Sequence, residues 1–476
     1  MRHERSHTKI IATIGPASSD PSILEKMFQE GVDVCRINCS HGSHREHLQT
    51  IRHIRQLNEK LGSHVAILAD LQGPKLRVGE IKDDQVMLEE GQEFAFVTRP
   101  CTGDREKAYV SYEKLPTDVK NGETILVDDG KLVFEVTGTN GKDRVTTRVI
   151  AGGPLSGRKG VNLPHTKVTL PSLTEKDRED ARFALDHQVD WLALSFVRRE
   201  KDIMDLRDLV EEHPGDAMII AKIEKPEALE EIDRIIDAAD GIMVARGDLG
   251  VEVDFHRVPL IQKNLIKKCT EKSKPVIVAT QMMESMITSP TPTRAEANDV
   301  ANAVLDGADT VMLSGETSIG RYPVETIRNM QKIIDSTETE EFMFYKGHAP
   351  VPGGPTFLAD SICYNAVRLA EQVNAAAIIV LTYSGYTAIR ISSHRPRAHI
   401  FTFTMNRDLI TDLSLVWGVR AYYFAECYEF NDYIDYTDEF LVSQNLLKKG
   451  DLVVHVGSIP ILEKGKTNMM KLTRVS

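Results

Sequence analysis

Eight short runs of β-branched and apolar residues recur along the first two thirds of the chain, each separated from the next by a stretch that carries helical periodicity or an insertion. They are KIIATI (9–14), DVCRIN (33–38), AILADL (66–71), WLALSF (191–196), MIIAKIE (218–224), GIMVAR (241–246), PVIVAT (275–280) and TVML (310–313). Strands that are apolar nearly end to end need cover on both faces, which a parallel sheet sheathed in helices supplies. The intervening segments carry helix punctuation: Ser-Asp-Pro opens SSDPSILEKMFQEG and Gly31 closes it, and Thr174 opens TEKDREDARFALDH. Eight such units predict a (β/α)8 barrel, with a doubly wound open sheet as the competing architecture. The position of the unusual residues favours the barrel. Asn38, Asp70, Ser195, Lys222, Glu224, Arg246, Asp248 and Thr280 all fall at or just past the C-terminal ends of their strands, the face on which barrels assemble active sites.

One connection is too long to be a loop. Between AILADL and the helix after Thr174 lie about a hundred residues, and a compact domain rarely spans that distance without further structure. The stretch reads as β, with EFAFVT, a hairpin in ETILVDDGKLVFEVTGT turning at Asp129-Gly130, and DRVTTRVIAGG. An all-β insertion at the barrel mouth is placed to act as a lid. After the acidic run and Pro/Gly cluster of STETEEFMFYKGHAPVPGGPTF the pattern restarts, with strands expected near 376–382, 399–404, 419–424, 451–456 and 469–475. The expected division is a barrel at 1–71 and 166–345, a lid at 72–165, and a separate α/β domain at 346–476. A chain of 476 residues has room for three such units.

Composition narrows the partners. With 58 Lys plus Arg against 70 Asp plus Glu the net charge is -12, which argues against nucleic acid or an anionic membrane as the main partner. No apolar run approaches the roughly 20 residues needed to span a bilayer, and the first ten residues are polar. The six cysteines, at 35, 39, 101, 269, 363 and 427, contain no CxxC pair and fit reduced thiols in a cytoplasmic protein.

The motifs point to phosphoryl chemistry. In IIAKIEKPEAL, Lys222 and Glu224 are two apart on a strand and share a face; a buried ion pair is the alternative to a catalytic role. In GIMVARGDLGVEV, Asp248 follows Arg246-Gly247, and glycine leaves backbone N–H groups open to an anion. Glu224 and Asp248 form the sparse carboxylate pair that Mg²⁺ prefers, although an Asp there also suits a helix cap. VCRINCSHG sets Arg36, Asn38 and Ser40 on one side of an extended segment, a guanidinium for phosphate beside oxygens for a cation. His41 and His44 read as solvent-facing rather than as a metal pair. Thr280 offers a hydroxyl to a ligand or to the backbone, and SGET after the last barrel strand reads as capping. Arg158 and Lys159 sit where the insertion rejoins the barrel, as a clamp for a nucleotide phosphate. Neither a Walker loop nor a kinase catalytic loop is present, so a small phosphorylated acid, handled by charge neutralisation, fits best.

KIIATIGPASS, RINCSHG, AKIEKPEAL, ARGDLGVE, VIVATQMMESM, DVANAVLDGADTVMLSGETSIGRYP and HRPRAHI, in this order, closely resemble pyruvate kinase over essentially the whole chain. The resemblance implies a barrel, a β-barrel lid inserted after the third strand, a C-terminal regulatory domain and a homotetramer. It implies phosphoryl transfer from phosphoenolpyruvate to ADP, giving pyruvate and ATP. Lys222, Arg36 and Thr280 would then act on substrate, with Gly247, Asp248 and Ser195 beside them and Glu224 and Asp248 on Mg²⁺. Asn38, His41, Arg77 and Lys159 would meet the nucleotide. Asn38, Ser40, Asp70 and Leu71 correspond to the site at which much of the family binds K⁺. Thr382, Ser384, Gly385 and Thr387 in TYSGYT resemble its effector phosphate loop, which opens a helix. GSIPILEKGKTN lacks the Trp and Arg of the fructose-1,6-bisphosphate-responsive animal enzymes, so a sugar monophosphate or AMP is the expected activator. Another barrel enzyme acting on phosphoenolpyruvate or a 2-oxo acid, a lyase or aldolase, is the competing function; a metabolite sensor without chemistry is a third.

AILADLQGPKLRVG (66–79) departs from the K⁺-requiring form, which has Thr where Leu71 stands and Glu where Lys75 stands. If Lys75 reaches Asn38, Ser40 and Asp70, a second cation about 4 Å away is repelled by roughly 4 kcal/mol at an effective dielectric of 20. Millimolar binding is worth only about 4 kcal/mol. Lys75 is therefore expected to substitute for K⁺, and K⁺ not to be required.

Overall fold

The eight apolar runs become eight parallel strands, here β1 (Lys9–Thr13), β2 (Val34–Asn38), β3 (Ala66–Asp70), β4 (Trp191–Leu194), β5 (Met218–Ile223), β6 (Gly241–Ala245), β7 (Val276–Ala279) and β8 (Thr310–Leu313). In the computed structural model, which describes residues 6–347, 349–424, 430–459 and 467–476, they hydrogen-bond in chain order and β8 closes on β1. The open-sheet alternative is thereby excluded. Side chains alternate across each strand. Ile11, Val34, Leu68, Ala193, Ile220, Met243 and Ile277 pack inside the barrel. Ile10, Ile67, Leu192, Ile219, Val244 and Val278 face outward into the core beneath the helices.

That alternation positions the site. Counting two residues on from Val34, Leu68 and Ile220 reaches Arg36, Asp70 and Lys222, which therefore enter the barrel at its C-terminal end. Below them the interior is apolar. The helices are punctuated as their sequences require: Asp20 caps Pro21–Glu30, Gly31 ends it at φ 117°, and Thr174 and Asp177 form a capping box on Glu175–Asp186.

The insertion is all β. Strands Glu93–Val97, Lys107–Tyr109, Thr124–Val127, Leu132–Thr139, Arg144–Ala151 and Val161–Asn162 form one six-stranded sheet around Phe94, Phe96 and Phe134. Its hairpin turns through Asp128, Asp129 and Gly130, all at positive φ. Arg77 bridges to Gly160 and Val78 to Val110, so the segment after Gly73-Pro74 runs between the two edges of this sheet. Segments 76–78 and 158–161 thus run side by side where the insertion leaves and rejoins the barrel.

The C-terminal sheet has four parallel strands and an antiparallel edge, in the order Val419–Tyr423, His399–Thr404, Ala377–Leu381, Leu452–Gly457, Met469–Arg474. Among the described residues no helix is long and apolar enough to cross a membrane.

Candidate active site

At the top of the barrel, Asp70 sits between two cations. Arg36 donates to its Oδ2 from Nε at 2.7 Å and from a terminal nitrogen at 2.6 Å, while Lys222 Nζ is 3.1 Å from Oδ1. Arg36 also donates to the Thr13 hydroxyl at 2.9 Å. Asp70 is 1% exposed. Burial would raise its carboxyl, but the charges of Lys222 and Arg36 outweigh that and hold it below the usual carboxylate range. Ser195 supports the same knot, accepting from Lys222 at 2.7 Å and donating to the Leu71 carbonyl at 2.7 Å.

Lys222 has a second acidic neighbour, Glu224 Oε1 at 2.9 Å. Burial opposes its charge, yet Asp70 and Glu224 together hold the ammonium above its ordinary value, so Lys222 is charged at any physiological pH. Glu224 accepts from the Phe196 N–H at 2.8 Å. Burial pushes its carboxyl up, the Lys222 charge opposes this, and Asp248 pushes it further. Asp248 has its own ammonium, Lys75 Nζ at 3.6 Å. Two carboxylates on neighbouring strand ends, each facing a cation, are a donor set suited to Mg²⁺, which keeps water and substrate oxygens for its remaining positions. Among the described residues no group of three or more His, Cys, Asp or Glu forms a cage. His41 and His44 accordingly belong to no such group, and His44 pairs with Asp180 at 2.7 Å.

Thr280 sits at φ 66° and Gln281 at 54°, conformations that non-glycine residues hold only when the surroundings enforce them. Arg246 enforces them, donating to the Thr280 carbonyl at 2.7 Å, to Asp299 at 2.7 Å and to the Ala279 carbonyl at 3.3 Å. The loop presents the Thr280 hydroxyl to the Gly247 N–H, which it accepts at 2.7 Å, while donating to the Ala279 carbonyl at 2.6 Å. Of the two sequence readings of this threonine, the structure shows the one in which its hydroxyl bonds backbone.

These elements have counterparts in known proteins. A family model described as the pyruvate kinase barrel domain matches residues 5–327, and one described as the pyruvate kinase alpha/beta domain matches 360–473. The chain belongs to the pyruvate kinase family. It is 43% identical over 468 residues to the pyruvate kinase of Agrobacterium vitis, covering 98% of each chain. To that of Geobacillus stearothermophilus it is 42% identical over 473 residues, covering 98% of this chain and 80% of the relative. The crystal structure of a pyruvate kinase from Cryptosporidium parvum matches it with a TM-score of 0.92 at 35% identity, over 99% of this chain and 97% of that one. Pyruvate kinases are phosphotransferases, which leaves no room for the lyase or aldolase reading.

Lys75 is where the geometry corrects the expectation. Its ammonium lies against Asp248 rather than in the pocket of Asn38, Ser40 and Asp70. The cause is the Gly-Pro turn: Gly73, at φ 67°, donates its N–H to the buried Asp177 at 2.9 Å and turns the chain across the mouth toward the insertion. A Cβ at Gly73 would lie 2.7 Å from the Phe196 ring. The atoms of the K⁺-type pocket are already engaged, Asn38 Oδ1 with the Ser40 N–H at 3.1 Å, Asp70 with Arg36, and the Leu71 carbonyl with Ser195. The field of Lys75 still reaches this loop, since burial first, then Arg77, Lys75 and Arg36, holds the His41 imidazole below its usual value.

Other residues singled out in the sequence are placed as follows. Arg77 donates to the Arg158 carbonyl at 3.1 Å and Lys159 pairs with Asp128 at 2.9 Å, so both lie where the insertion meets the barrel. In the C-terminal domain the Thr382 hydroxyl accepts from the Gly385 N–H at 3.1 Å, Thr387 meets the Thr467 hydroxyl at 2.7 Å, and Ser384 is exposed. Most of the stretch compared with the animal loop, 460–466, lies outside the described residues. Sequence reasoning missed Asp177, Glu252 and the reach of Glu316, which accepts from Ser314 N–H at 2.7 Å and from Met283 N–H at 3.2 Å and so ties the loop after β7 to the end of β8. The Ser314 side chain makes no capping hydrogen bond, so the capping expected of SGET gives way to this tie through Glu316.

Proposed function

We propose that this mouth carries out the pyruvate kinase reaction, in which the phosphoryl group of phosphoenolpyruvate passes to ADP and the enolate left behind is protonated to pyruvate. The observation that carries the assignment is the permanently charged Lys222 held between Asp70 and Glu224 beside Arg36. Arg36 is a planar donor fixed by Asp70 and Thr13 and suited to the substrate phosphate. Lys222 stabilises the negative charge that spreads over the transferring phosphoryl oxygens and then over the enolate, from an apolar barrel in which it needs no reorganisation. Ser195 and Asp70 position it.

Glu224 and Asp248 would hold Mg²⁺, which when bound polarises the phosphoryl and carboxylate oxygens and offsets their charge. Gly247, Asp248 and Thr280 face the substrate carboxylate, with the Thr280 hydroxyl at the position from which a proton can be relayed. Asn38, His41, Arg77 and Lys159 contact the nucleotide, the last two through the lid. K⁺ is dispensable: Asp70 is already neutralised by two cations, and Asn38 Oδ1 and the Leu71 carbonyl are already engaged by donors of the protein itself. The division into 1–71 with 166–345, 72–165 and 346–476, a homotetramer in the cytoplasm, and activation by a sugar monophosphate or AMP at Thr382, Ser384, Gly385 and Thr387 complete this reading.

A coupled assay of pyruvate formation from phosphoenolpyruvate, ADP and Mg²⁺ tests it. Lys222→Met is expected to lower kcat by about a thousand-fold or more, in line with removal of one preorganised charge from a transition state. Pyruvate formation by that variant at the parent rate overturns the assignment.

A further inference from the structure

Glu252 ends the helix Arg246–Glu252, one turn after Asp248, with its side chain 1% exposed. Its Oε1 accepts from Lys225 Nζ at 2.6 Å and from Asn162 Nδ2 at 2.8 Å. Its Oε2, also buried, has no hydrogen-bond partner among the described residues. The three side chains come from three places. Lys225 directly follows Glu224, Glu252 shares a helix with Asp248, and Asn162 belongs to the lid strand Val161–Asn162, which pairs with Thr124–Val127 next to the Arg77–Gly160 bridge. A cavity of about 30 Å³, room for about one water, lies beside them between Lys75, Asn162, Phe196, Arg198 and Lys225.

A carboxylate buried to this degree is held by its partners, and losing one shifts the others. Lys225 supplies the charge, and among the described residues Asn162 supplies the hydrogen bond to Glu252 that comes from the lid. When the lid turns about segments 76–78 and 158–161, the Asn162 donor either leaves Oε1 or is carried toward the unpaired Oε2. Both movements change how firmly Glu252 holds Lys225, and with it the backbone that aims Glu224. We propose that Glu252 is a positioning residue that couples lid orientation to the carboxylates Glu224 and Asp248, with Asn162 as its contact on the lid and Lys225 as its contact on the barrel. The inference rests on those two carboxylates being the divalent-cation ligands.

Mn²⁺ binding to the intact protein without substrates, followed by the loss of the free-ion electron paramagnetic resonance signal, separates the two claims. Asp248→Asn, which removes a ligand, is expected to weaken binding about ten-fold or more. Asn162→Ala, which alters only the lid contact, is expected to weaken it about three-fold or more and to raise the Mg²⁺ needed for half-maximal rate by a similar factor. Glu252→Gln should do both at least as strongly; if it does not fold, Asn162→Ala decides alone. Mn²⁺ affinity unchanged in Asn162→Ala but lost in Asp248→Asn makes the knot an ordinary structural contact and overturns the coupling. Affinity unchanged in Asp248→Asn overturns the ligand assignment, and the coupling falls with it.

Discussion

Asp70 accepts from Arg36 on one oxygen and from Lys222 on the other, so its charge fixes the direction of both cations that face the substrate. Asp70→Asn keeps the volume and removes the charge. Two buried cations are then left undercompensated, a change that costs about 3–5 kcal/mol in comparable settings and should reduce activity by re-aiming Arg36 and Lys222 together. The pH dependence has a definite sign. Because the folded-state pKa of Asp70 lies below the unfolded value of about 3.9, its stabilisation is present above pH about 4 and fades as pH falls through the lower folded value. The melting-temperature gap between parent and variant is therefore expected to be wide at neutral pH and to close in acid; a gap that does not change with pH removes Asp70 as its source. The pairing of Asp70 gives a second prediction at this scale. With its charge already met by Arg36 and Lys222, the rate in a buffer of bulky organic cations should change little on adding K⁺, and many-fold activation would show that the loop accepts the ion.

The loop after β7 shows how an element takes its shape from a residue outside it. Thr280 and Gln281 each hold a positive φ that costs on the order of 1–3 kcal/mol. The fork of Arg246 offsets this by grasping two successive carbonyls and Asp299. Lysine has one compact donor group and cannot reproduce that fork. Arg246→Lys should therefore lower the melting temperature, because the strain is no longer offset, and lower kcat as well by misplacing the Thr280 hydroxyl; a loss of stability with unaltered kcat would mean that the clamp serves only the fold. The strands themselves were readable because their signal is local: period two set Lys222 and Glu224 on one face and Arg36 with Asn38 on another, strand ends brought Asp70 to the barrel mouth, and Asp20 and Thr174 marked helix starts by their own chemistry. What the sequence concealed depends on distant partners. The path of Lys75 is set by a hydrogen bond from Gly73 to Asp177, and Glu252 acquires its meaning from Asn162, ninety positions away. Neither partner leaves a periodic trace, so no window of local pattern could have joined them.

At the scale of the molecule, the C-terminal domain forms the floor of the catalytic barrel. Leu415 is fully buried within the barrel's interior cluster, Thr310 at the start of β8 donates to its carbonyl at 3.0 Å, and Trp417 stacks on His7 at 4.3 Å ahead of β1. Beside this plug the helix Asp408–Asp412 packs against β3, and Asp412 feels the charges of Asp190, Asp216 and Asp240, which precede β4, β5 and β6. Burial pushes the Asp412 carboxyl up to about 8, with further contributions from Asp190, Asp216, Asp408 and Asp240. Asp190 is itself raised by burial, against Arg55 at 3.4 Å and a Thr411 hydroxyl bond, while Asp240 is paired with Arg207 at 2.8 Å. A folded pKa above the unfolded value of about 3.9 means that Asp412 favours the folded state in acid, and that this contribution is lost as pH rises toward about 8. Asp412→Asn stays neutral throughout. Its melting temperature should match the parent below about pH 4, exceed it increasingly as pH rises to about 8, and hold a constant lead above that. If the carboxyl instead gains its charge freely in the folded state, the two curves will run parallel over that range, and the junction between the C-terminal domain and the barrel floor carries no such penalty.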